Sequence, residues 1–377
     1  MPRFTRLLAE GMKERGHDVK LWSPKPLFFS IPAPGVFKKW LGYIDQFIVF
    51  PAKVRKDLEA CYPDTVFVFI DQALGPWVPV VSKRVHIIHC HDFLAQRSAF
   101  DEIPENPVSW TGKTYQGMIR RGFRKGKNFI SVSKKTQEDL HEFLKLPPSL
   151  SQVVYNGLNF PFKPINPCEA RIFLSEKTGV ELFSGYILHV GGNQWYKNRL
   201  GVIELYAAWR EKFEVDIPLL LIGPEPNTQL IKEYSLSPYK KNIHFLLGLD
   251  DMEVNYAYSG ASVFLFPSLA EGFGWPIAEA MASGCPVITT NEAPMNEVAG
   301  DAGFYISRRP FNEEDIKTWK DEAVEVIKDV IDLSLEERTA AIEAGFQNAN
   351  RFNSHKTLDK IEVIYKKMIK SREKIIQ

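Results

Sequence analysis

Short apolar runs alternate along the whole chain with longer segments that have the 3.6-residue spacing of a helix. The first helical pattern places Phe4, Leu7, Leu8 and Met12 on one face, and Gly16 ends it. The runs that follow are mostly apolar, as buried parallel strands are, and lie at His17–Trp22, Thr65–Ile70, Val85–His89, Asn128–Val132 and Gln152–Tyr155. This alternation predicts a doubly wound α/β sheet.

The pattern is interrupted after Asn156-Gly157 and then begins again. Leu158–Cys168 contains three prolines and is typical of an interdomain linker. The second series of apolar runs lies at Tyr186–Val190, Pro218–Ile222, Asn242–Leu246, Ala261–Phe266, Val287–Thr290 and Gly303–Ile306. We therefore predict two Rossmann-like domains, over residues 1–160 and 169–350. A last helical pattern at about 356–376 is long enough to pack back on the first domain.

Composition excludes several classes of function. Lys and Arg outnumber Asp and Glu by only 47 to 46, so no overall positive field attracts the chain to nucleic acid. The four cysteines are far apart and form no C-x-x-C pair, which predicts reduced thiols and neither a disulfide framework nor a zinc site. No apolar run approaches the ~20 residues of a membrane span, and no signal peptide is visible, so a cytoplasmic location is expected.

A strand, a glycine turn and a helix start carry the first candidate chemistry. Gly191 and Gly192 follow the strand at Tyr186–Val190 and let the backbone approach a ligand closely. The helix start beyond them presents free N–H groups and the positive end of its dipole, and Lys197 adds a cation that can neutralise a diphosphate. The alternative is an ordinary glycine turn with a solvent-facing lysine.

Two glutamates mark the second candidate. Glu271 lies in the loop after the strand Ala261–Phe266, and Glu279 lies within a helix that Pro276 begins and Gly284 ends. One carboxylate can accept hydrogen bonds from sugar hydroxyls and the other from the vicinal hydroxyls of a ribose. The alternative places Glu279 on a solvated helix face, which its small and apolar neighbours disfavour.

The two glutamates form an E-x7-E pair inside the run PSLAEGFGWPIAEAMASGCPVI at 267–288. This block closely resembles the C-terminal domain of glycosyltransferase family 4, the group 1 transferases. The likeness extends to Asn291–Gly303 and Leu221-Ile-Gly-Pro and, more sparsely, to Ser131-Val-Ser and Asn156-Gly157. The resemblance implies the GT-B fold, an α/β architecture of two Rossmann-like domains facing across a cleft.

Separate roles at one donor site are also implied by the resemblance. Glu271 would contact hydroxyls of the donor sugar, Lys197 would stabilise the leaving diphosphate, and Glu279 would hold the ribose. Backbone groups would complete the site at Gly191, Gly192, Gly272, Phe273 and Gly274, and at Leu247 and Gly248 in the loop that grips the base. For that last loop, a plain strand end is an equal alternative.

A retaining transfer from a UDP- or GDP-sugar, without a metal or another cofactor, is a further implication of the resemblance. The sequence contains no D-x-D dyad to hold a divalent ion over the diphosphate. It departs from the family at Asn193, where many members have an arginine that pairs with the lysine on the diphosphate. Binding of the diphosphate is therefore expected to rest on Lys197 and backbone amides, and the part of Arg199 is left open.

His89-Cys90-His91-Asp92 ends a strand of the first half. His89 and His91 would point to one side of an extended segment, but no third metal ligand is indicated, so we expect no metal. The resemblance suggests that a polar residue here faces the donor sugar, and His91, as a catalytic residue, and Asp92 are the candidates. Roles in the core or in helix capping are equal alternatives.

The acceptor is expected on the first domain. Pro24–Asp57 mixes aromatic residues with lysines, and Arg120–Lys127 is strongly basic, which together suit contact with anionic headgroups. We hypothesise a hexosyltransferase, mannosyl or glucosyl, that acts on a glycan or lipid-linked acceptor in bacterial surface polysaccharide assembly, peripherally on the inner face of the plasma membrane. The alternative is that Pro24–Asp57 packs in the core.

Other classes remain as alternatives. A nicotinamide oxidoreductase would need G-x-G-x-x-G after a first strand, which neither half contains. A sugar-nucleotide epimerase, a glycosyl phosphorylase or a sugar-nucleotide-binding protein with impaired activity shares the two-domain layout. A binding protein with impaired activity gains weight because, in the family, a first strand and a glycine loop precede the helix that begins here at Pro2. The N-terminal domain is thus expected to lack its first strand.

Overall fold

The computed structural model describes residues 2–376, with side chains throughout except those of Pro2, Val36 and residues 372–376. The chain divides into two units. The first contains the residues up to Asn159 together with those from Ser354 onward, and the second is Phe160–Asn353.

The first unit is built on a parallel sheet of four strands in the order β1-β2-β3-β4. The strands are β1 Phe67–Phe69, β2 His86–Cys90, β3 Asn128–Ser131 and β4 Leu150–Val153. Its helices are α1 Pro2–Glu14, α2 Gly35–Ile44, α3 Phe50–Asp57, α4 Val78–Val81, α5 Leu94–Ala99, α6 Trp110–Phe123 and α7 Lys134–Phe143. A five-residue π-helix, Asp45–Val49, joins α2 to α3.

The prediction of a strand at His17–Trp22 is wrong. These residues run as irregular chain, and Leu21 is 69% exposed. Polar Asp18 and Lys20 alternate with the apolar residues, so a strand here would need a partner for its backbone and a core for its apolar face. Among the described residues the segment pairs with no strand, and only Trp22 of its apolar side chains has a described ring contact, with Phe67. The other four predicted strands of the first half are confirmed, within two residues at each end.

The core of the first unit is rich in phenylalanine, and a helix from the end of the chain packs on it. Phe93, Phe123 and Phe129 are fully buried. The long last helix of the unit has the bounds Ser354–Ile376 and is numbered α16, because eight helices of the second unit precede it in the chain. Its Tyr365 hydroxyl lies 2.7 Å from His89 Nε2 of β2.

The second unit contains a six-stranded parallel sheet in the order β10-β9-β8-β5-β6-β7. The strands are β5 Ile187–Val190, β6 Leu219–Ile222, β7 Ile243–Leu246, β8 Val263–Phe266, β9 Val287–Thr290 and β10 Gly303–Ile306. All six predicted strands of the second half are thereby confirmed, within two residues. Most are almost wholly buried, as parallel strands covered by helices on both faces must be.

Helices cover the sheet of the second unit on both faces, as in other doubly wound folds. They are α8 Pro167–Thr178, α9 Arg199–Phe213, α10 Thr228–Leu236, α11 Asp251–Gly260, α12 Trp275–Ala282, α13 Met295–Ala299, α14 Glu313–Ile331 and α15 Leu335–Ala349. None of the helices within residues 2–376 combines the length and the apolar character needed to cross a membrane.

The strand order places a topological switch point between β5 and β8. From β5 the chain adds β6 and β7 on one side, and it then returns to add β8, β9 and β10 on the other. Because the connections leave in opposite directions, the loops after β5 and β8 border a crevice at the carboxyl edge of the sheet. The candidate residues Gly191–Lys197 and Glu271–Gly274 lie in these two loops.

A backbone-to-backbone contact in the first unit gives a test of its packing. Gly122 of α6 lies against the 3₁₀ turn Gln72–Trp77, and a Cβ at Gly122 would come within 2.0 Å of the Gly75 carbonyl oxygen. Gly122→Ala should therefore lower the free energy of unfolding by about 1–3 kcal/mol. The measurement is chemical unfolding followed by circular dichroism.

Gly117→Ala on the same helix is the matched control. Nothing lies within 4 Å of a Cβ there, so alanine should raise stability by about 0.5–1 kcal/mol through its better helix propensity. Equal effects of the two substitutions would contradict the close approach at Gly75.

Candidate donor site

The loops after β5 and β8 bring a lysine and a glutamate together. Lys197 Nζ lies 2.7 Å from Glu271 Oε1, and the Ser268 hydroxyl donates to the same oxygen at 2.9 Å. The side chains of Lys197 and Glu271 are only 14% and 8% exposed. The alternative of a solvent-facing lysine is therefore wrong. The positive charge of Lys197 and the negative charge of Glu271 neutralise each other in an ion pair.

Asn198 fixes these two loops to each other. Its backbone has a positive φ of 50°, and its side-chain oxygen caps α9 by accepting from the Gly201 N–H. Its amide nitrogen donates to the Pro267 carbonyl at the end of β8, 2.9 Å away. Sequence reasoning missed Asn198 and Ser268. An asparagine directly before a helix was the available signal for the first.

The glycine turn after β5 lies close to its neighbours. The Gly191 N–H donates to the Ile222 carbonyl at the end of β6. A Cβ at Gly191 would come within 2.8 Å of His189 Nε2, and one at Gly223 within 2.1 Å of the Gly191 carbonyl oxygen. A larger residue at Gly223 would force the loops after β5 and β6 apart, and one at Gly191 would press on the His189 ring. The glycines therefore keep the backbone close to the edge where a ligand would lie.

Arg199 reaches the position where the expected arginine is missing. Its Nη1 donates to Asn193 Oδ1 at 2.6 Å and to the Pro224 carbonyl at 3.2 Å, and the residue is 4% exposed. Burial lowers the pKa of Arg199 to about 10. Among the described residues its Nε and Nη2 atoms find no hydrogen-bond partner. A buried cation without a carboxylate partner makes this turn favourable for an anion.

Glu279 lies inside the unit, so the alternative of a solvated helix face is wrong. It is 7% exposed and accepts a hydrogen bond from the buried Tyr258 hydroxyl at 3.2 Å. Its helix α12 begins after Gly274, whose φ of +102° disfavours residues with a side chain. Gly272, Phe273 and Gly274 thus form the turn that leads from Glu271 to Glu279.

The loop after β7 lies farther along the same edge. Leu247 is 51% exposed, and Gly248 has a φ of +71°. Because β7 is two strands from β5, this loop is about 10 Å from the glycine turn. The structure thus brings Gly191, Lys197 and Glu271 together and places Leu247 and Gly248 at a distance that an extended ligand would span.

His91 belongs to the first unit and is almost fully buried. Its backbone N–H donates to the Gln72 side chain, and its Nε2 lies 2.9 Å from the Ile70 carbonyl. Burial lowers the pKa of His91 to about 4, so the ring is neutral at neutral pH. Just before α5, Asp92 accepts a hydrogen bond from the N–H of Leu94, two residues later, although the N-cap residue of that helix is Phe93. A role of His91 in chemistry stays a prediction.

Among residues 2–376, no group of three or more His, Cys, Asp or Glu side chains is arranged to hold a metal ion.

Two family models match the chain. The model for Glycosyltransferase Family 4 matches residues 1–160, and the model for glycosyl transferases group 1 matches residues 171–347. Together they include every candidate residue named above.

Individual relatives agree with these models. The chain is 30% identical to MMP alpha-(1->4)-mannosyltransferase of Mycolicibacterium hassiacum over 348 residues, covering 80% of this chain and 79% of that one. It is 33% identical to O-antigen chain mannosyltransferase B of Escherichia coli over 206 residues. That match covers 53% of this chain and spans only 52% of the relative's length.

Solved structures show the same fold. WaaG, a glycosyltransferase involved in lipopolysaccharide biosynthesis, aligns with a TM-score of 0.69 at 18% identity over 96% of this chain and 95% of its own. Anabaena Alr3699/HepE in complex with UDP and glucose aligns with a TM-score of 0.65 at 17% identity, over 94% and 87%. At these identities the likeness establishes the fold and nothing finer.

The histidine beneath the glycine turn predicts a pH dependence. Burial, together with the nearby cations Arg199 and Lys197, lowers the pKa of His189 to about 3, although the hydrogen bond between its Nδ1 and the Leu265 carbonyl opposes this shift. Between pH 6.5 and 3 the unfolded chain therefore binds a proton that the folded chain does not. Stability should fall by about 2 kcal/mol from this group as the pH falls from 7 to 5.

His189→Asn retains a donor for Leu265 and cannot bind that proton. Its free energy of unfolding should be lower at pH 7 but should depend less on pH, by the same 2 kcal/mol or so. The comparison is urea unfolding of both proteins at the two pH values. Parallel losses in the two proteins would show that His189 is not the responsible group.

Proposed function

The chain belongs to glycosyltransferase family 4, the glycosyl transferases group 1, and on that basis we propose that it transfers a hexose from a nucleoside-diphosphate sugar to a hydroxyl of an acceptor. The observation that carries the proposal is the pairing of Lys197 with Glu271 at the switch point of the second sheet. There a cation, backbone N–H groups and a carboxylate surround one crevice, which suits a phosphate joined to a sugar.

The donor lies along the carboxyl edge of the sheet in this proposal. The base binds the loop at Leu247 and Gly248, the diphosphate binds the glycine turn and Lys197, and the sugar binds at Glu271. Glu279 accepts hydrogen bonds from the ribose hydroxyls. The spacing of about 10 Å between the loops after β7 and β5 supports this order, because a nucleoside separates its base from its diphosphate by a similar length.

Transfer proceeds with retention and without a metal ion in this proposal. The bond between the anomeric carbon and the diphosphate oxygen breaks, and the sugar gains oxocarbenium character. The acceptor hydroxyl attacks from the same face, and its proton passes to the departing phosphate. Lys197 and the partner-free N–H groups of Arg199 stabilise the negative charge that develops there, as fixed cations do in other transfer reactions.

Relatives indicate the class of donor and acceptor. Both relatives described above are named mannosyltransferases, which favours mannose and hence a GDP-sugar. One structural neighbour holds UDP and glucose, which supports a UDP-sugar instead. The O-antigen relative and the lipopolysaccharide enzyme support a glycan or lipid-linked acceptor of a bacterial surface polysaccharide, reached peripherally at the inner face of the plasma membrane.

Replacing the cation tests the mechanism. Lys197→Ala should lower kcat by about 10²–10³, because one preformed charge at the leaving group is lost. The assay measures glycosylated product and free nucleoside diphosphate in parallel. Lys241→Ala, an exposed change in the same unit, is the control and should leave kcat unchanged. Turnover by Lys197→Ala at the parental rate would exclude a role of Lys197 in stabilising the leaving diphosphate.

The same assay tests the alternative reactions. Diphosphate release or sugar isomerisation without transfer would favour a hydrolase or an epimerase.

Binding of a nucleoside diphosphate and of its sugar nucleotide distinguishes the roles of the two glutamates. Glu279→Gln should weaken UDP or GDP and the corresponding sugar nucleotide alike, by about tenfold or more, because both contain the ribose. Glu271→Gln should weaken the sugar nucleotide but leave the free diphosphate nearly unchanged. Calorimetric titration of each variant with both ligands gives the comparison. If Glu271→Gln weakened both ligands equally, Glu271 would not belong to the sugar.

A further inference from the structure

A surface of the first unit exposes large apolar side chains. Between Pro24 and Lys56, Phe37, Trp40 and Ile48 are each more than 60% exposed. Four further apolar residues of this segment are also exposed: Leu27, Phe28, Phe29 and Ile31. We call Pro24–Lys56 the aromatic-basic segment. Exposed apolar groups gathered in this way mark an interaction site, since folded proteins seldom leave them in water.

These side chains belong to one continuous feature. The Phe29 ring packs against Gly42 of α2, and Lys38 Nζ lies 5.0 Å from the centre of that ring. Trp40 contacts Tyr43, which in turn contacts Phe47, with ring centres 5.8 Å apart in both pairs. The 3₁₀ turn at Phe28–Ser30, helix α2 and the π-helix therefore present a shared surface.

A buried carboxylate holds the exposed loop in place. Asp45 is 3% exposed, and it accepts hydrogen bonds from the backbone N–H groups of Leu27, Phe28 and Phe29 at 2.9–3.1 Å. The loop is thus fixed by its backbone while its side chains face outward. Such an arrangement orders the apolar groups before any partner arrives, which lowers the entropic cost of binding.

The charge of the segment identifies the partner. Pro24–Lys56 contains five lysines and one arginine, and Asp45, its one acidic residue, is engaged by the loop. The segment carries a net charge of +5, whereas the whole chain carries +1. None of the six cations forms an ion pair with a residue that the structure describes, and Lys39, Lys53, Arg55 and Lys56 are exposed.

The composition favours lipid headgroups over a protein surface. Lysine is depleted from protein–protein interfaces, whereas lysines interspersed with Trp and Phe are typical of helices that lie in a membrane interface. The second basic run is partly occupied elsewhere, because Arg120 lies on the Phe100 ring and Arg124 donates to the Phe143 carbonyl. The aromatic-basic segment is therefore the better membrane contact.

We propose that the aromatic-basic segment binds the surface of a bilayer that contains anionic lipids. Phe28, Phe37 and Trp40 enter the headgroup region, and Lys38 and Lys39 contact lipid phosphates. This proposal names the surface that would hold the protein at the membrane, as the proposed function assumes. It does not depend on transfer activity. Binding can be measured without donor or acceptor.

Vesicle flotation tests the proposal with the full chain. The protein should float with phosphatidylcholine vesicles that contain phosphatidylglycerol and not with phosphatidylcholine alone, and added salt should weaken binding. The double variants Phe37→Ser with Trp40→Ser, and Lys38→Glu with Lys39→Glu, should each reduce binding by about tenfold or more.

Matched controls lie in the second unit. Phe311 is 66% exposed, and Lys240 and Lys241 are exposed as well. Lys240→Glu with Lys241→Glu makes the same double charge change away from the segment, and Phe311→Ser removes one exposed ring in the same way. Both variants should bind vesicles as the parent does. Lys197→Ala should also float normally while losing transfer, which separates failure of this proposal from failure of the proposed function.

Asp45→Asn distinguishes an ordered surface from a merely charged one. The substitution raises the net positive charge of the segment but weakens the hydrogen bonds that hold the loop. We expect weaker vesicle binding, whereas attraction by charge alone would make it stronger. An unchanged far-ultraviolet circular dichroism spectrum, a retained cooperative unfolding transition and unchanged nucleotide binding would show that the variant is folded.

Three results would overturn the proposal. They are no flotation with anionic vesicles, equal flotation with neutral vesicles, and self-association of the parent that the Phe37→Ser, Trp40→Ser variant abolishes. The last would identify a second copy of the chain as the partner of this surface.

Discussion

The pairing of β5 with β8 is the constraint on which the candidate donor site depends. Lys197 and Glu271 are 74 residues apart in the sequence, yet their charged groups meet because both loops leave neighbouring parallel strands at one edge. Asn198 strengthens the arrangement by bonding to the Pro267 carbonyl across the same boundary. Without this pairing the glycine turn would lack a carboxylate beside it, and the cation would have no fixed position.

Electrostatics explains why these charges are tolerated inside the unit. A buried ion pair contributes little net stability, since desolvation offsets the attraction, so the Lys197–Glu271 pair is better understood as fixing a position. Close by, His189 stays neutral, and Arg199 has two nitrogens without a described partner. The glycine turn thus has more positive charge than its described surroundings neutralise, which favours an anion there.

Much of the fold of the second unit could be predicted from the sequence, because its strands are covered on both faces and are almost continuously apolar. The strand predicted at His17–Trp22 failed, because an alternating pattern does not reveal whether a partner strand exists. For the candidate site, spacing and resemblance indicated Lys197, Glu271 and Glu279, but not the contacts that these residues make. Ser268 and Tyr258 were missed because their value arises only where distant segments meet. Arg199 was left open for the same reason.

The aromatic-basic segment shows a different limit of sequence patterns. Apolar periodicity indicates which face of a helix avoids water, but it does not tell whether protein or lipid covers that face. In α2, Leu41 and Ile44 are partly buried while Phe37 and Trp40 point outward, so apolar residues occupy both sides. Asp45 fixes the loop whose apolar side chains face outward, because it accepts hydrogen bonds from the backbone of Leu27–Phe29. The position of Asp45 in the sequence does not indicate this contact. Three backbone N–H groups satisfy this carboxylate, so the loop is held with its apolar side chains in water. Binding to a surface that accepts both the rings and the lysines would remove those side chains from water.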